Sequence, residues 1–163
     1  MKKSIIFLAS LAMLVFISIE TKAQTASASA TANASARIVA PLEIMKDVDL
    51  AFGNIAAGPA AGTVTIATDG LRSGDGGITL ITAGNVSHNA QFSIIGYPEA
   101  TFSIALPSSI VLESNGNEMI VDQFVSDLGS ASVLSAMGEA TLNVGATLNV
   151  EANQAPGLYN GTF

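Results

Sequence analysis

Cysteine and tryptophan are absent from this sequence of 163 residues, and histidine occurs once. Without cysteine there is no disulfide scaffold and no thiolate metal site. A single histidine excludes His-rich metal binding and any two-histidine zinc motif. Charge is scarce too: 12% of residues are Asp, Glu, Lys or Arg, 6 basic against 13 acidic. That balance argues against nucleic acid as a partner. What is abundant is Ala, Val, Ile and Leu set among Gly, Ser, Thr and Asn, with 49% hydrophobic residues and a mean hydropathy of +0.50. Disorder would require low hydrophobicity and high charge. The composition fits one small domain instead.

Lys2 and Lys3 precede a mostly apolar core over 4–19, followed by Thr21 and Ala23, small residues suited to a signal-peptidase site. Residues 1–23 are expected to be a secretory signal peptide cleaved after Ala23. A permanent anchor is the competing reading, because the apolar run is near the lower limit for a span. No cysteine follows the core, which excludes a lipoprotein-type anchor. After cleavage no membrane span is expected, and the protein belongs in the periplasm, at the cell surface or outside the cell. The mature chain keeps Arg37, Lys46 and Arg72 as its basic residues, against every acid except Glu20. No block of like charge occurs, so the acidity reads as solubility rather than as a steering field.

Residues 24–36 form a leader in which Ala26, Ala28, Ala30, Ala32, Ala34 and Ala36 alternate with Ser, Thr or Asn. Period two is the strand period, but alanine is a poor strand former. A flexible leader and a strand that pairs only on meeting an edge are both open. From Arg37 onward, short alternating stretches follow one another with turn residues between. Strands are expected over 37–45 (interrupted by Pro41, hence at an edge), 63–67, 78–82, 90–95, 101–106, 110–112, 119–125, 141–150 and 158–163. The cleanest alternation puts Leu142, Val144, Ala146, Leu148 and Val150 on one face. Residues 54–62 read as a Gly/Ala/Pro loop and 68–77 as a long turn. The only candidate for a helix is 130–140, weakened by Gly129 and Gly138. The expected fold is all-β, an antiparallel β-sandwich over 37–163.

The order of motifs runs Ile38-Val39-Ala40-Pro41-Leu42, then Leu50-Ala51-Phe52-Gly53, Phe92-Ser93-Ile94-Ile95-Gly96 and Ile104-Ala105-Leu106-Pro107. It ends on Val144-Gly145-Ala146-Thr147-Leu148 and Gln154, Gly157, Tyr159, Gly161, Thr162, Phe163. In these the chain resembles the bacterial secreted family called domain of unknown function 4402, over essentially all of 24–163. The resemblance implies an exported, immunoglobulin-like β-sandwich similar in build to fimbrial subunits, with no assigned catalytic residue. Family members continue past the Gly161-Thr162-Phe163 motif into a full last strand, so the expected sandwich is incomplete at that strand. Four or five large buried side chains there would contribute roughly 6–15 kcal/mol before ordering entropy, comparable to the net stability of a domain at about 5–15 kcal/mol. Either the sequence is a fragment or another segment supplies the strand, as in edge addition between subunits. The leader would be a weak donor, since five alanine methyls give only about 4 kcal/mol.

Candidate chemistry is thin. His88 sits in an expected loop, and nothing in the sequence gives it the oriented carboxylate and nucleophile that a triad needs. The stretch 69–77 has calcium-loop composition without EF-hand spacing, and no Gly-Lys-Ser/Thr makes it a phosphate loop. Asp47 and Asp49 read as surface carboxylates. Glu99 and Glu113 could only be a glycosidase pair if folding joined them; with Tyr97 and Tyr159 as the only tyrosines and no tryptophan, sugar stacking has little surface. The sequons at Asn33, Asn85 and Asn160 read as chance. No catalytic, cofactor-binding or metal residue is therefore assigned. The expected protein is a non-enzymatic structural or surface-interaction β-sandwich, partnered by other protein subunits through strand addition. A small envelope module for glycan or calcium is the alternative.

Overall fold

The computed structural model describes residues 27–163. The expected signal peptide and the first leader residues lie outside the described residues. The chain divides into two units, 1–37 and 38–163. In the first, residues 27–37 are exposed and belong to no strand. No described helix is long and apolar enough to cross a membrane.

The second unit is all-β and antiparallel, with no helix. Its strands are β1 (Glu43–Val48), β2 (Asn54–Ile66), β3 (Arg72–Ile81), β4 (Ala90–Ile95), β5 (Thr101–Ser103), β6 (Ser109–Ser114), β7 (Asn117–Ser126), β8 (Ala131–Val133) and β9 (Glu139–Val150). β9 organises the rest. One of its edges is shared end to end by β4, opposite Glu139–Val144, and by β2, opposite 146–150. Its other edge carries β7. β1 then adds to β4, β3 to β2 and β6 to β7, while β5 and β8 form a separate two-stranded ribbon.

The alternation of β9 explains this arrangement. Leu142, Val144, Ala146, Leu148 and Val150 are all buried, as the sequence pattern predicts. The first two pack with Ala90, Ile94, Phe102 and Leu134, beneath the β5–β8 ribbon. The last three pack with Phe52, Val64, Ile66 and Val121. Leu50 and Phe124 touch both clusters. Two layers closing on these two clusters make the β-sandwich.

Several boundaries differ from the sequence reading. Residues 54–62 lie within β2, and 72–77 within β3, with a bulge between Ala57 and Gly62. Small residues are required there: a side chain on Gly58 would strike the Gly77 carbonyl, and one on Gly77 would strike Ala60. The expected turn shrinks to 67–71, where the Asp69 carboxylate accepts the Leu71 N–H at 2.9 Å and Ala67 accepts Gly70. Residues 104–106 leave the strand pattern after Ser103. The weak helical candidate over 130–140 is β8 followed by a turn in which the Ser135 carbonyl accepts Gly138. Pro41 lies just outside β1, an edge strand, in line with its missing donor.

Candidate functional site

The motif residues near the end of the sequence act as a latch. Gln154 Nε2 donates to the Glu118 carbonyl at 3.1 Å and to the Tyr159 hydroxyl at 2.9 Å. Its Oε1 accepts the Glu151 N–H. The Tyr159 hydroxyl donates in turn to the Ala155 carbonyl at 2.8 Å, a reach back to upstream backbone like that of the tyrosine corner in sandwiches. Gly157 lets the chain pass against Ser114, and Gly161 lets it pass against Val111 and Leu112. The segment is thereby held to the β6–β7 hairpin. Tyr159→Phe removes the donated bond and leaves Gln154 with one acceptor fewer. It should lower unfolding free energy by about 1 kcal/mol and speed amide exchange over 154–160, read by denaturant melts and hydrogen exchange.

Residues 158–163 do not form the expected strand. They make one bridge, in which Glu113 and Asn160 exchange N–H to carbonyl bonds of 2.9 and 3.1 Å. Phe163 stays 45% exposed but lays its ring against two others, 6.2 Å from Phe92 and 5.0 Å from Phe124 between centroids.

Beside this segment lies a groove of about 1300 Å³. One wall is the β6–β7 hairpin, with Ile110, Leu112 and Met119. The other is the link from β1 to β2, with Leu50 and Phe52, continued by Ile55 at the start of β2. Val121, Leu148 and Val150 from the core form part of the lining. Its ionic groups gather where β1 runs into that link: Lys46 is paired with Asp49 at 2.5 Å, and the His88 ring nitrogen lies 2.6 Å from the Asp49 carbonyl. An exposed pair of this kind contributes about 0–1 kcal/mol. Asn54, Asn85, Gln154 and Asn160 line the groove as well, so an apolar floor of core residues is bordered by polar groups.

Two strand edges flank the groove. β6 pairs with β7 alone apart from the single Asn160 bridge. β1 pairs with β4 alone along its whole length. Ile44 of β1 stands opposite Ile94 of β4 and shares its core-facing side. Yet Ile94 is 4% exposed and Ile44 is 61% exposed. The inner face of β1 lacks a neighbour on its open side.

The residues weighed for chemistry are not brought together into a site. His88 is not in a plain loop: it bridges Ala51, exchanging two backbone hydrogen bonds of 2.9 Å, and secures the β1–β2 link. Asp47 accepts from the Ser93 hydroxyl at 2.6 Å, whereas Asp49 lies past a register shift and pairs with Lys46. Asp69 and Asp75 accept the backbone N–H groups of Leu71 and Gly76. Glu99 lies in the turn between β4 and β5, bonded to the Ser135 carbonyl, while Glu113 stands opposite Glu118 in the β6–β7 hairpin. Among the described residues no cluster of three or more His, Asp or Glu side chains is placed to hold a metal ion. The sequence reading missed the groove, because its walls come from segments some sixty residues apart. The signal that pointed to it was the motif ending at Phe163.

Fold and groove together define an antiparallel β-sandwich with an exposed apolar cleft between two open strand edges. The chain belongs to the family described as a domain of unknown function, DUF4402, whose family model matches residues 42–163. No curated protein and no solved structure matches it.

Proposed function

We propose that the protein is an exported, non-enzymatic β-sandwich with a structural or surface-interaction role, built like a fimbrial subunit and partnered by other protein subunits through strand addition. The observation that supports this reading is the apolar groove between the unpaired edges of β1 and β6. Exposed edges and apolar clefts are hazards that a solitary soluble domain blunts or covers. An interaction protein uses them, since main-chain bonding supplies affinity and alternate side chains supply specificity. The reading is tested on the protein recovered from its source. Its N-terminal residue should be Gln24, and native mass measurement should place it in complexes that contain other polypeptide chains. Recovery with residues 1–23 still attached would remove export, and recovery wholly as a monomer would remove the subunit role.

A further inference from the structure

We propose that Asn160–Gly161 is a site of spontaneous deamidation, and that the modification unfastens residues 160–163 from the β6–β7 hairpin beside the groove. Asn-Gly occurs twice in the sequence, at 115–116 and at 160–161. Glycine has no Cβ to obstruct attack by its own amide nitrogen, so both pairs are reactive in an unfolded chain. The fold separates them. Asn115 and Gly116 both have positive φ, +49° and +82°, and form the two-residue turn of the β6–β7 hairpin. At the ψ of the left-handed region, the Gly116 nitrogen lies across the Cα–C bond from the Asn115 Cβ. Ring closure needs the two eclipsed, and rotating them together would undo a hairpin registered over six pairs. Asn160 is held by a single isolated bridge to Glu113, and Asn160, Gly161, Thr162 and Phe163 are all exposed. Its side-chain nitrogen reaches only the Leu158 carbonyl, at 3.5 Å, the long limit of a hydrogen bond. Among the described residues the Gly161 N–H has no protein acceptor. Opening one bridge is enough to free this pair.

The chemistry needs water alone. The Gly161 amide nitrogen bonds to the Asn160 side-chain carbon. The bond from that carbon to the side-chain nitrogen breaks, and ammonia leaves with the proton from Gly161. Water then opens the five-membered succinimide at either carbonyl. One opening leaves a carboxylate at position 160 on an intact main chain. The other routes the main chain through the side chain, as isoaspartate. Both products strain the same contact. The bridge sets residue 160 opposite Glu113, and Glu113 already stands opposite Glu118. An amide there is neutral, whereas a carboxylate makes three like charges in one row, and like charges directly opposite destabilise. Isoaspartate lengthens the main chain by one methylene just before Gly161. No slack exists there, because even a Cβ on Gly161 would strike the Val111 carbonyl. Phe163 then loses its place against Phe92 and Phe124. Residues 160–163 line the groove, so its wall is remodelled irreversibly as the protein ages.

To test this, the protein is held in warm, mildly alkaline buffer, and peptides covering the two pairs are followed by mass spectrometry for amide-to-acid exchange. Conversion at Asn160 should run about tenfold or more faster than at Asn115, because local openings range from nearly free to the whole unfolding free energy. In concentrated urea the two should convert at like rates. Hydrogen exchange and NMR read the consequence. The Glu113 amide, which donates to the Asn160 carbonyl at 2.9 Å, should exchange faster in aged protein and in fresh Asn160→Asp. The ring contact between Phe163 and Phe124 should fade in aged protein, while the β9 amides stay protected. Asn160→Gln, with a side chain one methylene too long for the five-membered ring, should age without these changes. Conversion at Asn115 as fast as at Asn160 in the folded protein, or the same contrast persisting in urea, would overturn the assignment of the site. Conversion at Asn160 that leaves the Glu113 amide and the Phe163 contact as in fresh protein, or identical changes in aged Asn160→Gln, would overturn the unfastening.

Discussion

Leu148→Ala should cost about 2–5 kcal/mol of unfolding free energy, the range for truncating a buried leucine. Leu148 is 2% exposed and lies in the row formed across the sheet by Val64 of β2, Leu148 of β9 and Val121 of β7. Both neighbours are themselves fully buried. The lost methyl groups cannot be replaced by a shift of one strand, because β9 is hydrogen-bonded on both edges at this point. The truncation also opens toward the groove, which Leu148 helps to line. Urea melts of the parent and variant give the number. Leu71→Ala provides the comparison: Leu71 is 69% exposed, and its truncation should stay within about 0.5 kcal/mol. Equal effects at the two positions would mean that the row is not the centre of the core.

Gly145→Ala should be at least as damaging, about 3 kcal/mol or more, although it adds a single carbon. Gly145 is the point on β9 where β4 gives way to β2: Val144 faces Ala90 and Ala146 faces Ile66. A side chain there would fall on the Ile66 carbonyl oxygen, with backbone atoms of Ala67 and Thr68 just behind. Overpacking against side chains typically costs 1–3 kcal/mol, because side chains can rotate away. Backbone held in a ladder cannot. Loss of amide dispersion in the NMR spectrum, or a collapse in soluble yield, would register the effect. A variant that melts within about 1 kcal/mol of the parent would show that β2 and β4 do not meet at this residue.

What the sequence disclosed depended on how far local pattern and long-range pairing agree. They agree in β9, whose five inward residues were legible because an aliphatic residue occupies four of the five positions and alanine the fifth. They agree in β4, where Phe92 and Ile94 mark the inner face. They conflict over 54–62 and 72–77. Glycine, alanine and proline there suggest loop, yet the two segments need small residues in order to pair across a bulge. Strand propensity measures side-chain packing on a pleated surface, and it is silent where backbones approach without side chains between them. The motif at 154–163 was legible as a pattern but not as a latch, since its partners, Glu118 and Glu113, are remote in sequence. The groove could not be read locally at all.

The sharing of β9 among three strands has a consequence for how the molecule is made. A nascent polypeptide that has emerged only as far as Gly138 possesses the β2–β3 and β6–β7 hairpins but lacks the element that joins them. Isolated hairpins are marginal in water, and distant pairings are slow to close. Cooperative assembly therefore waits until the residues from Glu139 onward are available, and everything synthesised earlier stays pliable until then.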